Sequence, residues 1–313
     1  MQLSDRIGRR IKLHDLHVLM AVVQAGSMNK AAALLHTTQP AISRSIAELE
    51  RAIGVRLLDR NPRGVEPTGY GRALLDGGAA MFDDLRQAVK NIEFLADPVA
   101  GEMRVACNPI LATSFVSAVF DRLSRRYPRM RFHALVKPAE SLRRDLIERN
   151  VDLLVARRFG DLADEGLGFE FLFSDAYVVA AGAQNPWTRR RRIKLAELTN
   201  EAWTLPPPET PPGLVATEAF RLSGIDYPRV AVATVAPEMR ISLLATGRFL
   251  SIFPDSVVRF PAGRPEIRVL PVELPVAPVS VGIVTLKNRT LSPVARLFIE
   301  HAREVAKPLA KRK

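Results

Sequence analysis

The chain has 313 residues, of which 47% are apolar and 25% are charged, and its net charge is +12. This composition excludes a chain that is mostly disordered or of low complexity, and the length fits two or three compact units. The single cysteine, Cys107, excludes a disulfide within the chain, and no apolar run reaches the roughly 18 residues of a membrane span, so we expect a cytoplasmic protein with no membrane partner.

The basic residues are unevenly distributed along the chain. Residues 1–63 carry ten basic and five acidic side chains, residues 64–98 carry three and six, and residues 99–313 carry 32 and 22. A basic excess suits an anionic partner. Because most of the excess follows residue 98, charge alone does not locate a nucleic-acid surface, and motifs must do so.

Two short helices are predicted near the start of the chain. Gly26 is a good stop for the first, and Ser27 can cap the second, whose residues 31–35 are rich in alanine. The apolar residues of the first helix recur at helical spacing: Leu13, Leu16, Met20 and Val23.

A third helix is predicted from about Gln39 to Gly54. Thr38 can cap it, and Pro40 is tolerated in a first turn, where its missing N–H would have no partner. The predicted buried stripe is Ile42, Ile46, Leu49 and Ile53. The residues predicted to lie mostly outside that stripe, near the N-terminal end, are Gln39, Ala41, Ser43, Arg44 and Ser45.

This third helix has the pattern of a recognition helix. In a helix-turn-helix, the first turns of that helix enter the major groove while its back is anchored on the other two helices. Gln39 can form two hydrogen bonds to adenine, Arg44 can bind guanine or a phosphate, and Ser43 can bind either. We therefore predict that residues 13–54 read promoter DNA.

A β-hairpin is predicted next. Residues 55–58 and 65–67 flank Asn61-Pro62-Arg63-Gly64, which has strong turn chemistry. Arg60 and Arg63 near such a tip can meet backbone phosphate or the minor groove, which would make this a winged helix-turn-helix. A solvated turn with unimportant arginines is the open alternative.

A long helix is predicted from Thr68, its cap, to about Leu95, with Asp97-Pro98 as a hinge. An apolar heptad seam favours dimerisation through this helix, and packing of the helix on its own domain is the alternative. A two-fold protein would match a palindromic site. The seam residues are Leu74, Gly78, Met81, Leu85, Ala88, Ile92 and Leu95.

The stretch from Leu13 to Leu75 resembles the LysR-type transcriptional regulators. Leu58 is a departure, because the family usually has phenylalanine there. The matching positions are Leu16, Gly26-Ser27, Ala31-Ala32, Leu35, Thr38-Gln39-Pro40-Ala41-Ile42-Ser43-Arg44, Ile46, Leu49-Glu50, Gly54, Leu57, Arg60, Thr68 and Gly71. The DNA-binding residues assigned in this way are Ser27, Thr38, Gln39, Pro40, Ala41, Ser43, Arg44, Arg60 and Arg63.

The rest of the chain is similar to the same family more loosely. Strands predicted at 103–107, 132–136 and 151–156 alternate with helices, which implies parallel sheets. Residues 244–254 resemble the family's late glycine-rich passage, with Phe249 at its second glycine position.

The resemblance implies an α/β chain of three parts. These are a winged helix-turn-helix at 1–67, a linker and dimerisation helix with a hinge at 68–98, and an effector-binding and oligomerisation domain at 99–313. The last part would have two α/β lobes like a type 2 periplasmic binding protein, with a small molecule between the lobes.

The effector positions implied by the resemblance lie at strand ends and in the crossover region. Helix N-termini that follow strands can offer free N–H groups to an anion, and the basic C-terminal part also favours an anionic ligand. The positions are Asn108, Pro109, Thr113, Lys137, Pro138, Ser141, Pro206, Pro207 and Thr234.

The expected partners are double-stranded promoter DNA, a small-molecule effector that we expect to be anionic, a second copy or three further copies of the chain, and RNA polymerase if the protein is an activator. No cofactor, metal site or enzymatic activity is expected, because no catalytic or phosphate-binding motif occurs. A ligand-independent repressor, an enzyme with a DNA-binding head and a solute-binding protein are the weaker alternatives.

Three further features each leave two interpretations open. Cys107 is either a small buried residue or a redox-sensing thiol whose pKa is lowered by Arg104 and a helix N-terminus. The run at 189–192 is either a solvated loop or a contact for DNA or an acidic partner. Residues 205–213 are either a rigid lip of the effector cleft or a docking motif.

Overall fold

A computed structural model of the chain describes residues 10–61, 64–158, 166–259 and 264–310. The chain divides into two compact units, residues 1–86 and residues 87–313. The division falls inside the long helix that was predicted as a separate linker, and the three-part division therefore stays a prediction. Within the described residues, no helix is both long enough and apolar enough to cross a membrane.

The N-terminal unit contains three short helices, a hairpin and the start of a long helix. The helices α1 and α3 are followed by Gly26 and Gly54, which adopt the left-handed backbone conformation (φ 65° and 91°). The N–H group of each glycine donates a hydrogen bond to a carbonyl oxygen of the last helical turn, as in a C-terminal cap. The elements are α1 Leu13–Ala25, α2 Met28–Leu34, α3 Gln39–Ile53, β1 Leu58–Asn61, β2 Gly64–Pro67 and α4 Gly69–Ala96.

The back of α3 forms the core of this unit with α1 and α2. Ile42, Ile46 and Leu49 are at most 1% exposed, which confirms most of the predicted stripe, whereas Ile53 is only half-buried. Ser45 was predicted to lie outside the stripe, and this is wrong. Ser45 is buried and donates a 2.6 Å hydrogen bond to the buried carboxylate of Asp15 on α1, a contact that apolar periodicity does not reveal.

Replacing Ser45 with alanine is expected to destabilise the chain by about 1–3 kcal/mol, because it leaves the Asp15 carboxylate buried without this donor. Urea unfolding measures the change. Ser43→Ala, on the half-exposed side of the same helix, is the control and should cost less than about 0.5 kcal/mol. Equal effects of the two substitutions would contradict the assigned role of Ser45.

The hairpin is tied to the helices at three points. The Glu50 side chain accepts hydrogen bonds from the backbone N–H groups of Leu57 (2.7 Å) and Leu58 (3.3 Å). The N–H of Val65 donates to the carbonyl oxygen of Gly26 at 3.1 Å. These bonds hold the predicted wing in a fixed position beside α3.

The long helix α4 has two different surroundings along its length. In the N-terminal unit, Gly78 packs directly on Leu16, because a Cβ at Gly78 would lie 2.9 Å from a Leu16 methyl carbon. Further along, Leu85, Ile92 and Leu95 are 51%, 66% and 80% exposed. The start of the predicted seam thus packs on its own domain, and its later residues form an apolar face that remains open.

The C-terminal unit contains two five-stranded sheets, one in each lobe. The first sheet has the order β4-β3-β5-β12-β6, and the second has the order β11-β7-β10-β8-β9. The strands are β3 Ala100–Cys107, β4 Arg129–Val136, β5 Leu153–Arg158, β6 Leu167–Asp175, β7 Tyr177–Gly182, β8 Ala202–Leu205, β9 Val230–Ala233, β10 Phe249–Pro254, β11 Ile267–Val269 and β12 Val279–Leu286.

The sheets are mixed rather than parallel, which corrects the prediction from the alternation of elements. Strands β3, β4 and β5 are parallel, but β12 is antiparallel to both β5 and β6. In the second lobe, β7 is antiparallel to β10 and β11. The chain leaves the first lobe after β6, enters the second lobe at β7 and returns to the first lobe in β12. The strands that follow these two crossovers, β7 and β12, are the ones that run antiparallel to their neighbours.

Helices cover both sheets. Phe249, which occupies a glycine position of the family pattern, begins β10 and is accommodated there, after a turn at Gly247 with φ 77°. The helices are α5 Pro109–Leu111, α6 Ser117–Arg126, α7 Ala139–Ile147, α8 Pro211–Leu222, α9 Pro237–Ala245, α10 Asp255–Arg259 and α11 Pro293–Ala310, with a π-helical segment Ala112–Val116 between α5 and α6 and 3-10 helices at Pro186–Arg189 and Leu195–Leu198.

Candidate DNA-binding surface and ligand cavity

The predicted DNA-reading residues lie together on the first two turns of α3. Most of them are exposed, namely Thr38, Gln39, Pro40, Ala41 and Arg44, whereas Ser43 is half-buried. The buried stripe on the opposite side fixes this face outward. The arrangement leaves amide, hydroxyl and guanidinium groups free to meet base edges in a major groove.

Ser27 and Thr38 occupy the positions that immediately precede α2 and α3, in extended backbone conformation, as predicted. Neither side chain makes the predicted capping hydrogen bond to its helix. The N–H groups of a first helical turn have no acceptor within the helix. The N–H groups at both helix starts can therefore donate to a phosphate oxygen, and so can both hydroxyls.

The predicted wing contributes one described arginine. Arg60 lies exposed on β1, opposite Val65 of β2. Arg63 lies outside the described residues. Lys30 on α2 is also exposed. Arg60 on β1 and Lys30 on α2 thus add exposed positive charge to the N-terminal unit, which suits contact with duplex phosphates.

A cavity of about 470 Å³ lies between the two lobes of the C-terminal unit. Four of the predicted effector residues line it, and they come from strand ends of both lobes: Asn108, Pro109, Pro138 and Pro206. The other residues of its wall are Ile110, Ala139, Arg157, Tyr177, Thr210, Pro211, Pro212, Val235, Ala236, Glu238, Arg240, Ile252 and Pro254.

The cavity wall does not include the other five predicted effector residues, and their polar groups have partners nearby. Lys137 donates to the Asp145 carboxylate at 2.8 and 3.0 Å. The oxygen atoms of the remaining four make local turn contacts: Thr113 with Ile110, Ser141 with Pro138, Pro207 with Thr210, and Thr234 with Ala236.

Three helix N-termini beside the cavity offer fewer free N–H groups than the sequence suggested. Prolines occupy the first helical positions of α5, α8 and α9, and proline has no N–H. Two of the remaining donors are already used. The N–H of Leu111 donates to the Asn108 side chain (2.9 Å), and the N–H of Gly213 donates to the Thr210 hydroxyl (3.2 Å).

Arg157, at the end of β5, was not predicted as a site residue. Its side chain is 3% exposed, and its Nη1 donates to the Asp175 carboxylate at 3.2 Å. Its guanidinium lies over the Tyr177 ring, 5.0 Å from the ring centre. Its Nε and Nη2 atoms are buried and have no hydrogen-bond partner among the described residues.

Asp175 is held in place by more than this ion pair. It accepts hydrogen bonds from the N–H (3.1 Å) and the hydroxyl (2.7 Å) of Ser256. Burial raises the pKa of the Asp175 carboxyl, although Arg157 and Ser256 oppose the shift. Burial likewise raises the pKa of Tyr177, so the phenol is neutral at physiological pH.

Arg240, in the first turns of α9, was also not predicted. It is 1% exposed, and its Nη1 donates to the Ser251 hydroxyl (3.3 Å) and to the carbonyl oxygen of Ile252 (3.1 Å). Its guanidinium carbon lies 4.2 Å from the centre of the Phe253 ring. Its Nε is buried and has no hydrogen-bond partner in the part of the chain that the structure describes. Burial lowers the pKa of Arg240 to about 10, so the side chain is charged at neutral pH.

The sequence contained a signal for one of these arginines. Arg157 follows the buried run at 151–156, and ligands of open α/β sheets bind at the carboxyl ends of strands. Arg240 gives no such signal. It lies between Met239 and Ile241 in a helix whose apolar pattern is weak, so its burial could be seen only in the structure.

Cys107 is fully buried at the end of β3, which is the predicted structural interpretation. Burial raises the pKa of its thiol to about 12, whereas a sensing thiol needs a lowered pKa. Arg104 and the following helix therefore do not activate it.

We expect hydrogen peroxide at millimolar concentration to leave the DNA affinity of the protein unchanged, because the Cys107 thiol is neither exposed nor ionised below pH 9. Mass spectrometry of the treated protein should show no sulfenic acid at this residue, with Cys107→Ser as the control. A peroxide-dependent change in DNA affinity that Cys107→Ser abolishes would contradict this prediction.

The arginine run at 189–192 is exposed, as a solvated segment would be. Arg190 pairs with Glu197 at 3.2 Å and lies over the Trp187 ring.

His14 and His17 are exposed on α1. Within the ranges that the structure describes, no group of three or more His, Cys, Asp or Glu residues could hold a metal ion.

Known protein families match both units. Residues 13–72 match the family described as "Bacterial regulatory helix-turn-helix protein, lysR family". Residues 96–307 match the family described as "LysR substrate binding domain". The first match spans the helices and the hairpin, and the second spans both lobes and the cavity.

Relatives and solved structures agree over nearly the whole chain. The SDS degradation transcriptional activation protein of Pseudomonas sp. (strain ATCC 19151) is 30% identical over 290 residues, which are 90% of this chain and 92% of that protein. The HTH-type transcriptional regulator GbpR of Azospirillum brasilense is 24% identical over 288 residues, 92% of this chain and 84% of that protein. The structure of a full-length OxyR variant from Pseudomonas aeruginosa shares the fold, with a TM-score of 0.66, 19% identity and coverage of 97% of this chain and 99% of that one.

Proposed function

This chain belongs to the LysR family of DNA-binding transcriptional regulators, and we propose that a small anion in the cavity of its C-terminal unit changes how it binds promoter DNA. The DNA contacts in this proposal are the nine residues predicted above on α2, α3 and the wing. The observation that supports a negatively charged ligand is the pair of buried guanidinium groups, Arg157 and Arg240, in the cavity wall.

A buried cation with unpaired N–H groups is costly unless a ligand neutralises it. Transferring an unpaired charge from water into a protein interior costs several kcal/mol, and good pairing is needed to offset that cost. Arg240 has no carboxylate partner within the described ranges, and Glu238 acts on it only from the exposed rim. An anion in the cavity would supply the missing partner and would be held strongly for that reason.

A ligand in this cavity would act on both lobes at once. Arg157 belongs to the first lobe and Arg240 to the second, and the chain crosses between the lobes only at the ends of β6 and β12. A molecule that binds both arginines stabilises one arrangement of the lobes over others. Such differential binding is what couples an effector to a second site.

The proposal includes a homodimer or homotetramer. The exposed apolar residues Leu85, Ile92 and Leu95 on α4 support pairing of this helix with a second copy, because an apolar face of this kind is seldom left in water. In an oligomer, a rearrangement of the lobes would change the spacing of the DNA-binding units and hence the half-sites that they occupy.

Strand β5 offers a physical connection from the cavity to α4. Arg157 lies near its end, and Asp152 immediately precedes its start. Asp152 lies 3.7 Å from the Lys90 ammonium on α4 and pairs with Arg289 at 3.4 Å. A movement of β5 caused by the ligand would therefore change the contact with α4.

Replacing Lys90 with methionine is expected to reduce the effect of the ligand on DNA affinity at least threefold, because the link between β5 and α4 loses its charge pair. Ligand binding itself should persist. DNA affinity with and without ligand measures the coupling, and Lys307→Met, which breaks an exposed ion pair with Glu304, is the control. Undiminished coupling in Lys90→Met would contradict this path.

The test of the proposed function uses genomic DNA fragments that are selected by their binding to the purified full-length protein. Footprints on such a fragment are compared with and without a panel of organic acids, their uncharged amides and the corresponding amines. We expect at least one acid to alter the footprint, while its amide does not. Alteration by uncharged or cationic compounds alone would overturn the anionic effector, and no alteration by any compound would favour a ligand-independent regulator.

A further inference from the structure

The wall of the cavity is suited to an apolar body. Six prolines form much of it, and none of them has an N–H to donate to a polar ligand. The apolar side chains Ile110, Val235 and Ile252 complete it. The prolines are Pro109, Pro138, Pro206, Pro211, Pro212 and Pro254. A ligand with polar groups spread over its surface would leave most of them without partners here, at a cost for each group.

Apart from the exposed carboxylate of Glu238, the charges at the cavity leave one positive charge without an ion-pair partner. Arg157 is balanced by Asp175 at 3.2 Å, whereas Arg240 forms no ion pair within the ranges that the structure describes. One negative charge on a ligand therefore completes the balance. A second would be buried without a cation, near the rim carboxylate of Glu238.

The unpartnered donors match a single head group. They are three buried atoms, Nε and Nη2 of Arg157 and Nε of Arg240. A carboxylate has two oxygens that together accept up to about four hydrogen bonds, so one head group has enough acceptor capacity for three donors. Tyr177 also lines the cavity, and the Arg157 guanidinium lies over its ring, 5.0 Å from the ring centre.

We propose that the effector is a monoanion with a compact apolar body, its one head group bound between Arg157 and Arg240 and its body against the proline-lined wall. This names the ligand class of the site described under the proposed function and rests on that proposal. Because a water molecule in the liquid occupies roughly 30 Å³, a cavity of about 470 Å³ has room for a small ligand with on the order of a dozen water-sized groups.

The test is calorimetric titration of the full-length protein with butanoate, hexanoate, octanoate and cyclohexanecarboxylate. We expect binding that strengthens roughly threefold to fourfold with each added methylene until the cavity is full. Hexanamide, which lacks the charge, and hexanedioate, which carries two, should each bind at least tenfold more weakly than hexanoate. Inorganic phosphate should not compete.

Two variants locate the binding. Arg240→Met should bind hexanoate at least tenfold more weakly than the wild type, whereas Arg189→Met, at an exposed arginine of the same lobe, should match it. Thermal unfolding of both variants checks that they fold. If Arg240→Met does not fold, the comparison of hexanoate, hexanamide and hexanedioate on the wild type decides the question alone.

The proposal is overturned if no monocarboxylate binds, if hexanedioate or phosphate binds more tightly than every monocarboxylate, or if a folded Arg240→Met binds hexanoate as well as the wild type. These failures are separate from failure of the proposed function. A dianion that alters the footprint would overturn the ligand class and leave an anionic effector standing. A monocarboxylate that binds without altering any footprint would uphold the site and overturn its regulatory role.

Discussion

Replacing Arg44 with alanine is expected to weaken specific promoter binding by about 1–3 kcal/mol, roughly tenfold to a hundredfold. Arg44 is exposed on the second turn of α3, on the face opposite the buried stripe of Ile42 and Ile46. A guanidinium there can form two hydrogen bonds to guanine. Fluorescence anisotropy at one fixed salt concentration, with the selected fragment and with unrelated DNA, measures the loss.

The matched control is Arg51→Ala, because Arg51 is exposed on the last turn of the same helix. It should weaken binding to both DNAs only slightly and by the same factor, as the loss of a phosphate contact does. Specific affinity that is unchanged in Arg44→Ala would contradict the assignment of α3 as the recognition helix.

Replacing Gly71 with alanine is expected to destabilise the N-terminal unit by more than about 2 kcal/mol. An added Cβ would lie 2.1 Å from the carbonyl oxygen of Leu57, so the backbone at the junction of the wing and α4 would have to move. That junction is held by Thr68, whose hydroxyl donates to Arg56 and accepts from the Gly71 N–H.

Urea unfolding of the full chain measures this loss in the transition of the N-terminal unit. Gly77→Ala in the same helix is the control, because nothing lies within 4 Å of its added Cβ. Alanine is the better helix former, so Gly77→Ala should be neutral or stabilise by up to about 1 kcal/mol. Similar destabilisation by both substitutions would show that helix propensity, and not the contact with Leu57, decides the effect.

The N-terminal fold could be predicted closely because local rules govern it. Gly26 and Gly54 end helices in the left-handed conformation that glycine adopts without strain, and Thr68 caps α4 as predicted. Ser45 escaped the prediction because its burial depends on a single polar partner, Asp15, that lies 30 residues away in sequence. Periodicity detects apolar faces and is blind to such pairs.

The C-terminal unit was predicted less completely because its contacts are long-range. The strands were recognisable, but antiparallel pairing of β12 with β5 joins residues more than 120 positions apart. The family resemblance led to Asn108, Pro109, Pro138 and Pro206 in the cavity wall. It did not lead to Arg157 or Arg240, because a buried arginine is rare and its sequence context is indistinguishable from that of a surface arginine.

The expected source of anion binding changed for a related reason. Strand-to-helix junctions suggested free N–H groups, but prolines occupy the first positions of α5, α8 and α9, and side-chain caps use a further N–H group at α5 and at α8. The first prolines of α5 and α8, Pro109 and Pro211, also contribute to the apolar wall. In the proposed function, the positive charge for an anion comes from side chains buried on two different lobes, so a ligand that binds both would respond to the relation between the lobes.

The most direct measurement of the central claim is a promoter footprint of the wild type and of Arg240→Met, each with and without an anion that binds the wild-type cavity. Arg189→Met serves as the charge-matched control. If the cavity governs DNA binding, the anion changes the wild-type and Arg189→Met footprints and leaves that of Arg240→Met unaltered. The same anion-dependent change in all three proteins would contradict the account.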